Sequence, residues 1–209
     1  MAFPTTPANG DTHTVGSVTW SYNSTTDSWA QANTSGSTSG SGLHEFISTS
    51  GAIPSGTASV VFANQFDSSK YDHYLFIFTN VRPTTGGGGT LRCDTSTDNG
   101  SNYATTYGDY HDEQHQDLHS LYVANSIGSN SSANGASGRF ELYQPLSSTT
   151  NTSSISFLTK NGSSSAGGDG PEYSGRNANE ANNAVRFIFS LPSSTIASGE
   201  IELYGLKKG

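Results

Sequence analysis

Histidines and acids alternate along one short stretch of the chain, and these residue types can bind transition metals. His111, Glu113, His115, Asp117 and His119 occupy every second position, so on a β-strand all five side chains would share one face. The histidines are also four residues apart and would align on a helix. Imidazole and carboxylate groups are common ligands of zinc and nickel. The pattern therefore makes His111, His115 and His119 candidate metal ligands.

The spacing of these side chains argues against a complete metal site within one chain. Alternate side chains of an extended strand stand too far apart for three of them to reach one ion. A threefold axis that contributed one histidine per subunit would remove this difficulty. A polar strand face in water explains the same residues without a metal. We favour that interpretation and predict no metal or other cofactor.

Residues 94–100 are another stretch that could bind a metal, because side chains with oxygen atoms alternate there as they do in a calcium loop. It departs from the EF-hand pattern at two positions, because Asn99 stands where the glycine belongs and Thr105 where the closing carboxylate belongs. Asn99-Gly100 is a typical tight turn. The stretch therefore predicts a strand that runs into a turn.

The common catalytic motifs are missing from the sequence. It has no Gly-X-Ser-X-Gly motif, and the glycines at 86–89 precede a predicted strand rather than a helix that could hold a phosphate. A glycosidase needs two carboxylates at a fixed separation, but acidic residues are ordinary in exposed polar stretches. We therefore predict that the protein is not an enzyme, with no catalytic residue. The carboxylates that could in principle serve are Asp109, Asp112, Glu113, Asp169 and Glu172.

Two long polar connections, residues 98–117 and 161–183, contain the other side chains that could contact a ligand. Connections of this length in a small domain are either functional or mobile. Tyrosine rings can stack on sugars through their apolar faces, and they can equally cap their own domain. The candidate ligand-binding residues are Tyr103, Tyr107, Tyr110, Tyr173 and Arg176.

The elements that must position these residues are predicted to be β-strands. Residues 71–83 carry apolar side chains at both odd and even positions, which is typical of a central strand covered on both faces. Elsewhere apolar and polar residues alternate, and no helix is needed. The sequence predicts an all-β, antiparallel two-sheet β-sandwich with a jelly-roll path. The predicted strands are residues 44–50, 58–64, 71–81, 90–96, 118–123, 138–143, 154–160, 184–191 and 198–206.

Residues 1–42 differ in composition from residues 43–209 and are predicted to form a separate N-terminal module with a linker. Trp20, Tyr22 and Trp29 lie on either side of a turn, which predicts a small β-hairpin. Aromatic rings on a short tethered hairpin suit attachment to another surface. The alternative is that both tryptophans pack back on the main domain.

Composition and charge exclude several kinds of partner. The net charge is −8, which opposes binding to nucleic acid. The sequence shows no run long enough to insert into a membrane and no signal peptide, so we expect synthesis in the cytoplasm. The single cysteine, Cys93, is expected to be a buried thiol.

Four segments in the same order resemble a recurring virion-protein domain of tailed bacteriophages, especially marine and cyanobacterial phages. They are residues 71–83, 91–103, 138–146 and 196–207. The N-terminal Asn9-Gly10-Asp11 together with the tryptophans resembles short modules of phage tail-fibre proteins. The glycine run at 86–89 and the histidine-rich stretch are not part of this pattern.

This resemblance implies a structural virion protein with a jelly-roll domain, assembled in the host cytoplasm as a homotrimer. It implies that residues 1–42 attach the domain to other virion proteins. The leading hypothesis is a tail-fibre or receptor-binding-like protein that touches host-surface glycans. The alternatives are a capsid decoration protein and, third, a carbohydrate-active enzyme.

Overall fold

The structure is a computed structural model, and every regular element that it describes is a β-strand. Within the described residues no helix is long and apolar enough to cross a membrane. The described residues are 6–15, 18–25, 27–31, 43–85, 89–105, 110–112, 117–118, 120–128, 135–161, 166–167, 173–177, 180–190 and 194–208.

The chain divides into two compact units, Met1–Gly42 and Leu43–Gly209. The first unit contains β1 (Thr12–Val15), β2 (Val18–Asn23) and β3 (Ser28–Gln31), which pair antiparallel in that order. The strands β2 and β3 form the hairpin that the sequence indicates. The hairpin prediction was incomplete, because β1 adds a third strand through pairs such as His13 with Trp20.

The second unit contains all of the remaining strands. They are β4 (His44–Thr49), β5 (Val60–Ala63), β6 (Tyr71–Pro83), β7 (Gly89–Ser96), β8 (Tyr110–Asp112), β9 (Asp117–Leu118), β10 (Leu121–Ile127), β11 (Ala136–Tyr143), β12 (Ser153–Asn161), β13 (Ala166–Gly167), β14 (Tyr173–Asn177), β15 (Ala184–Phe189) and β16 (Ile196–Lys207).

These strands form two antiparallel sheets. The larger sheet has the order β4-β16-β6-β11-β12-β14-β8-β9, with β13 paired to β12, and the smaller sheet has the order β10-β7-β15-β5. Four of the pairs are nested in the sequence: β4 pairs with β16, β5 with β15, β6 with β11, and β7 with β10. The chain therefore follows the path of one long hairpin folded over onto itself.

A cluster of phenylalanine rings joins the two sheets. Phe187 of the smaller sheet lies 5.0 Å from Phe76 and 5.1 Å from Phe78 of the larger sheet, measured between ring centroids. Phe140 and Phe62 complete the cluster at 5.9 and 6.2 Å from Phe187, and all five rings are buried. Alternation of apolar side chains predicts that Phe76, Phe140 and Phe187 point inward, and all three are buried. The predicted all-β sandwich is confirmed.

The central strand β6 differs from its prediction in one respect. Tyr74, Phe76 and Phe78 are fully buried, but Leu75 and Ile77 on the opposite face are only half-buried. The strand is therefore covered on one face and partly open to water on the other. On this outer face Leu75 lies opposite Tyr204 of β16, and Ile77 lies opposite Arg139 of β11.

The prediction of two long loops was wrong in part, because both connections contain short strands. The connection after β7 contains β8 and β9, and the connection after β12 contains β13 and β14. These strands are two to five residues long and are rich in Gly, Ser, Asn and Asp, so they show neither the length nor the apolar alternation by which a strand is recognised. They extend the larger sheet beyond β12.

Candidate functional site

Several connections meet at one end of the sandwich, which we call the loop end and define as residues 64–71, 97–105, 144–152 and 180–183. Two short hydrogen bonds hold these connections in place. The Asp67 backbone N–H donates to the Tyr74 hydroxyl at 2.6 Å, and the Asn182 backbone N–H donates to the Pro145 carbonyl at 2.6 Å. The loop end is thus a continuous surface built from both sheets.

Two consecutive asparagines hold these connections in place. The buried Asn182 donates from its side chain to the Thr152 hydroxyl at 3.1 Å. Asn183 donates from its side chain to the Thr97 carbonyl at 3.0 Å and accepts from the Asn99 backbone N–H at 2.7 Å. The segment before β15 therefore fastens the turn after β7 and the connection between β11 and β12 to each other.

The turn after β7 is shaped by hydrogen bonds to Asp98. Asp98 accepts hydrogen bonds from the Ser96 hydroxyl at 2.8 Å and from both the backbone and the side chain of Asn102 at 2.8 and 2.7 Å. The Asn102 bonds, followed by the Ser96 bond, lower the pKa of Asp98 to about 2. Asn99 and Gly100 have positive φ values of 62° and 86°. The predicted Asn-Gly turn is confirmed, and its carboxylate is fully engaged.

Tyr103, a predicted ligand-binding residue, packs against its own domain. The Arg186 guanidinium lies 4.2 Å from the centre of the Tyr103 ring. Arg186 in turn bonds the fully buried carboxylate of Asp94 at 2.8 Å, and the Ser120 hydroxyl bonds the other oxygen at 2.5 Å. One face of Tyr103 therefore covers a buried ion pair on the outer side of the smaller sheet.

Three of the other predicted ligand residues, Tyr110, Tyr173 and Arg176, lie in the short strands β8 and β14 of the larger sheet. Register places Arg176 opposite His111, Asn177 opposite Tyr110, and Ser156 opposite Tyr173. The side chains of Tyr110, His111, Tyr173 and Arg176 lie outside what the structure describes, and Tyr107 lies wholly outside the described residues. Their role in binding stays a prediction.

The histidine-rich stretch is not one strand, contrary to the arrangement that would put all five side chains on one face. Residue His111 of β8 pairs antiparallel with Asp117 of β9, so the chain turns back between them. Within the described residues no group of three or more His, Cys, Asp or Glu side chains could hold a metal ion. Glu113, His115 and His119 lie outside those residues.

The predicted attachment residues lie together in the N-terminal unit. Tyr22 pairs with Trp29 across β2 and β3, and their ring centroids are 5.4 Å apart. Trp20 and Trp29 are both half-buried. A hydrogen bond from the Tyr22 hydroxyl to Asp27 raises the pKa of Tyr22. The hairpin therefore presents an ordered aromatic patch.

One opening at the loop end is a groove that the sequence did not indicate. We call it the β4 groove, and it has a volume of about 410 Å³. One wall is the outermost strand β4, and the other is the connection from β5 to β6. Its lining residues are Phe46, Ile47, Ser48, Asn64, Gln65, Phe66, Asp67, Lys70 and Tyr71.

A β-bulge in β4 shapes the first wall of the β4 groove. Phe46 lies opposite Tyr204 and Ser48 opposite Leu203, so Ile47 is the extra residue. Ile47 packs against the core, whereas Phe46 is 53% exposed and is held by a ring contact to Tyr204 at 5.5 Å. Bulges commonly redirect side chains, and this one turns Ile47 to the core while the Phe46 ring stays beside Tyr204 on the outer face of the larger sheet.

The second wall is fixed by aromatic packing and by Asp67. Phe66 packs edge-on against Tyr74 at 4.6 Å. The Asp67 carboxylate accepts from the Ser69 hydroxyl at 2.6 Å and lies 3.4 Å from the Lys70 ammonium, and the bond from Ser69 is the main reason that the pKa of Asp67 is lowered. Burial raises the pKa of Tyr71 to about 12. The wall carries a carboxylate and a neutral phenol at neutral pH.

A smaller cavity of about 240 Å³ lies on the other side of Tyr71, between Asp72 and the connection after β11. Its polar groups are engaged with each other. The Thr150 hydroxyl donates to Gln144 at 2.8 Å, and the Ser147 hydroxyl accepts from the Thr150 backbone at 3.0 Å. The β4 groove is the larger of these two openings.

Sequence reasoning missed the β4 groove because its two walls, residues 46–48 and 64–71, belong to different elements and meet only in the fold. The available signal was weak: Phe46 and Ile47 are adjacent apolar residues in a short strand, and residues 64–67 combine two amides with an aromatic and an acid. Comparison of the chain with protein-family models, with curated proteins and with solved structures gives no match. The fold itself places the protein in the class of all-β sandwich proteins.

Proposed function

We propose that the protein is a structural component of a tailed-phage virion, with a jelly-roll domain that contacts a glycan on the host surface. The observation that carries this proposal is the set of four nested strand pairs. In a jelly roll the first strand pairs with the eighth, the second with the seventh, the third with the sixth and the fourth with the fifth. The pairs β4–β16, β5–β15, β6–β11 and β7–β10 follow this rule, with β12 added beside β11.

The segments that resemble phage virion proteins support the proposal by their position. Residues 71–83, 138–146 and 196–207 correspond to β6, β11 and β16, and β6 pairs with both of the others. Residues 91–103 cover most of β7 and the turn that follows it. The resemblance therefore concerns the framework of the sandwich rather than scattered surface positions.

The N-terminal unit fits a role in attachment. Its hairpin presents Trp20, Tyr22 and Trp29 as a half-buried aromatic patch, which is the kind of surface that partner proteins cover. We propose that residues 1–42 bind other virion proteins, that the particle carries the protein as a homotrimer, and that neither nucleic acid nor a membrane is a partner. The net charge of −8 supports the exclusion of nucleic acid.

Antibody labelling of purified phage particles tests this function. We expect mass spectrometry to detect the chain in particles made from the genome that encodes it, and gold-labelled antibody to mark the tail. Label on the head would favour a capsid decoration protein instead. Absence of the chain from washed particles would refute the virion assignment.

A further inference from the structure

We propose that the outer face of the larger sheet, the face turned away from the smaller sheet, is the surface through which copies of this chain associate. This inference rests on the proposed homotrimer and names the residues of its interface. Residues directly opposite each other in paired strands lie on the same face of a sheet. One such row crosses five strands of the outer face and consists of Phe46, Tyr204, Leu75, Glu141 and Ile155.

Apolar side chains predominate on the outer face. Phe46, at one end of the row, is 53% exposed. The half-buried apolar and aromatic members of this row and the next are Leu75, Ile77, Ile155, Phe157 and Tyr204. The described strands of Leu43–Gly209 form two layers, and the smaller sheet packs on the opposite face. A contiguous apolar surface of this kind marks a site of interaction.

The charged groups in the middle of the outer face are paired with each other. The Arg139 Nε atom lies 2.8 Å from Glu141 Oε1, and the Tyr143 hydroxyl donates to Glu141 Oε2 at 2.5 Å. Glu202, which lies beside Ile77, accepts a hydrogen bond from the Tyr204 hydroxyl at 3.0 Å. A partner can therefore cover the middle of this face without supplying a countercharge.

This pattern of charge favours a second copy of the chain as the partner. A partner of opposite charge is recognised through unpaired charges, and the Arg139–Glu141 pair leaves none in the middle of the face. The net charge of −8 makes two copies repel each other in general. Copies can therefore approach most closely where the charges of each are already neutralised.

The shape of the surface agrees with this partner. Sheet faces pack on one another about 10 Å apart, with side chains interdigitating between them. Three such faces turned towards a common axis enclose one apolar core, so each copy contacts both of the others. The outer face can therefore serve as the interface of the proposed homotrimer.

Sedimentation equilibrium of the full-length protein in the micromolar range tests the inference. We expect the wild type to have three times the mass of the 21.9 kDa chain. Leu75→Lys should raise the dissociation constant about 100-fold or more, because association would bury an ammonium group. In the single chain this ammonium lies opposite Glu141, and its apolar stem still covers the sheet, so we expect the variant to fold.

Val61→Glu is the matched control. Val61 is 48% exposed on the outer side of the smaller sheet, and it lies opposite Arg186. The variant therefore also places a new charge opposite a residue of the other sign. It makes the chain more negative, so unchanged association shows that an added surface charge is not by itself enough to separate the copies.

A second variant keeps the test independent of folding. Ile155→Lys on β12 also lies opposite Glu141, and it decides the question if Leu75→Lys does not fold. Far-ultraviolet circular dichroism and the urea midpoint verify the fold of each variant. A wild type that is monomeric throughout the concentration range would overturn the interface.

The remaining outcomes separate the interface from the homotrimer. Folded Leu75→Lys and Ile155→Lys proteins that associate like the wild type would refute the interface, and a trimer that meets elsewhere would remain. A wild-type dimer that both variants dissociate would support the interface and contradict the homotrimer. Particle labelling decides the virion assignment independently.

Discussion

At the scale of single residues, the fully buried carboxylate of Asp94 has the strictest requirement for partners. It lies on the outer side of the smaller sheet and is satisfied by Arg186 and Ser120, with the Tyr103 ring covering Arg186. A buried charge is tolerated only when it is paired and hydrogen-bonded. The position of the turn after β7 is thus coupled to the stability of the sheet beneath it.

Replacement of Asp94 should therefore be costly. We expect Asp94→Ala to lower the free energy of unfolding by about 3 kcal/mol, because it leaves the partly buried Arg186 without its partner. Asp72→Ala is the control, since Asp72 pairs with Lys208 at 2.9 Å but both side chains are substantially exposed, and a surface pair contributes about 0–1 kcal/mol. Urea denaturation measures both. Equal losses in the two variants would contradict the importance of the buried pair.

At the scale of elements, bulges decide which side chains reach the core. In β6 every second residue is buried from Tyr74 to Phe78, but the next buried residue is Val81, three positions further on. Asn80, which lies between them, has a φ of 48°. The neighbouring strands adapt with glycines, because a Cβ atom at Gly135, just before β11, would lie 2.2 Å from the Asn80 side chain and one at Gly199 would lie 2.6 Å from Val81. These glycines allow β11 and β16 to follow the irregular strand.

A pair of glycine variants separates steric conflict from backbone strain. Gly138 has a φ of 144° and a crowded Cβ position, whereas Gly56 has a φ of 89° and no atom within 4 Å of its Cβ position. We expect Gly56→Ala to lower the free energy of unfolding by about 1 kcal/mol and Gly138→Ala by about 3 kcal/mol. Both are measured by urea denaturation. A Gly138→Ala loss no larger than that of Gly56→Ala would show that β11 and β12 can move apart freely.

At the scale of the whole molecule, the phenylalanine cluster makes two sheets into one body. Phe187 contacts a ring on β5 of its own sheet and rings on β6 and β11 of the larger sheet, so it links the two sheets. Close-packed rings bury a large apolar area and pack edge to face. The loop end depends on this cluster, because the connections that form it come from both sheets.

Removal of the Phe187 ring should weaken the entire domain. We expect Phe187→Ala to lower the free energy of unfolding by about 3–5 kcal/mol, from lost burial and the cavity left behind. Phe46→Ala, the same change at a half-exposed ring, should cost less than about 1 kcal/mol. Guanidinium denaturation followed by far-ultraviolet circular dichroism gives both values. A similar cost at the two positions would mean that Phe187 does not hold the sheets together.

The nine strands anticipated from alternation are all present, since burial on one face leaves a period of two in the sequence. Even so, residue 118 belongs to β9, and the strand expected at 118–123 runs from Leu121 to Ile127. The strands β8, β9, β13 and β14 were missed because their stability comes from pairing with neighbours rather than from apolar side chains. Pairing partners distant in sequence leave no local pattern.

The sequence by itself determined the all-β class, the central position of β6 and the rings that enter the core, because side-chain parity is a local property of the chain. Only the tertiary structure decided that Tyr103 covers an ion pair and that Phe46 borders a groove with Gln65 and Asp67. Those relations join β7 to β15, and β4 to the connection between β5 and β6. The packing of the two sheets and a bulge of one residue decide which distant strands become neighbours. Neither feature can be predicted from the residue spacing within one segment of the chain.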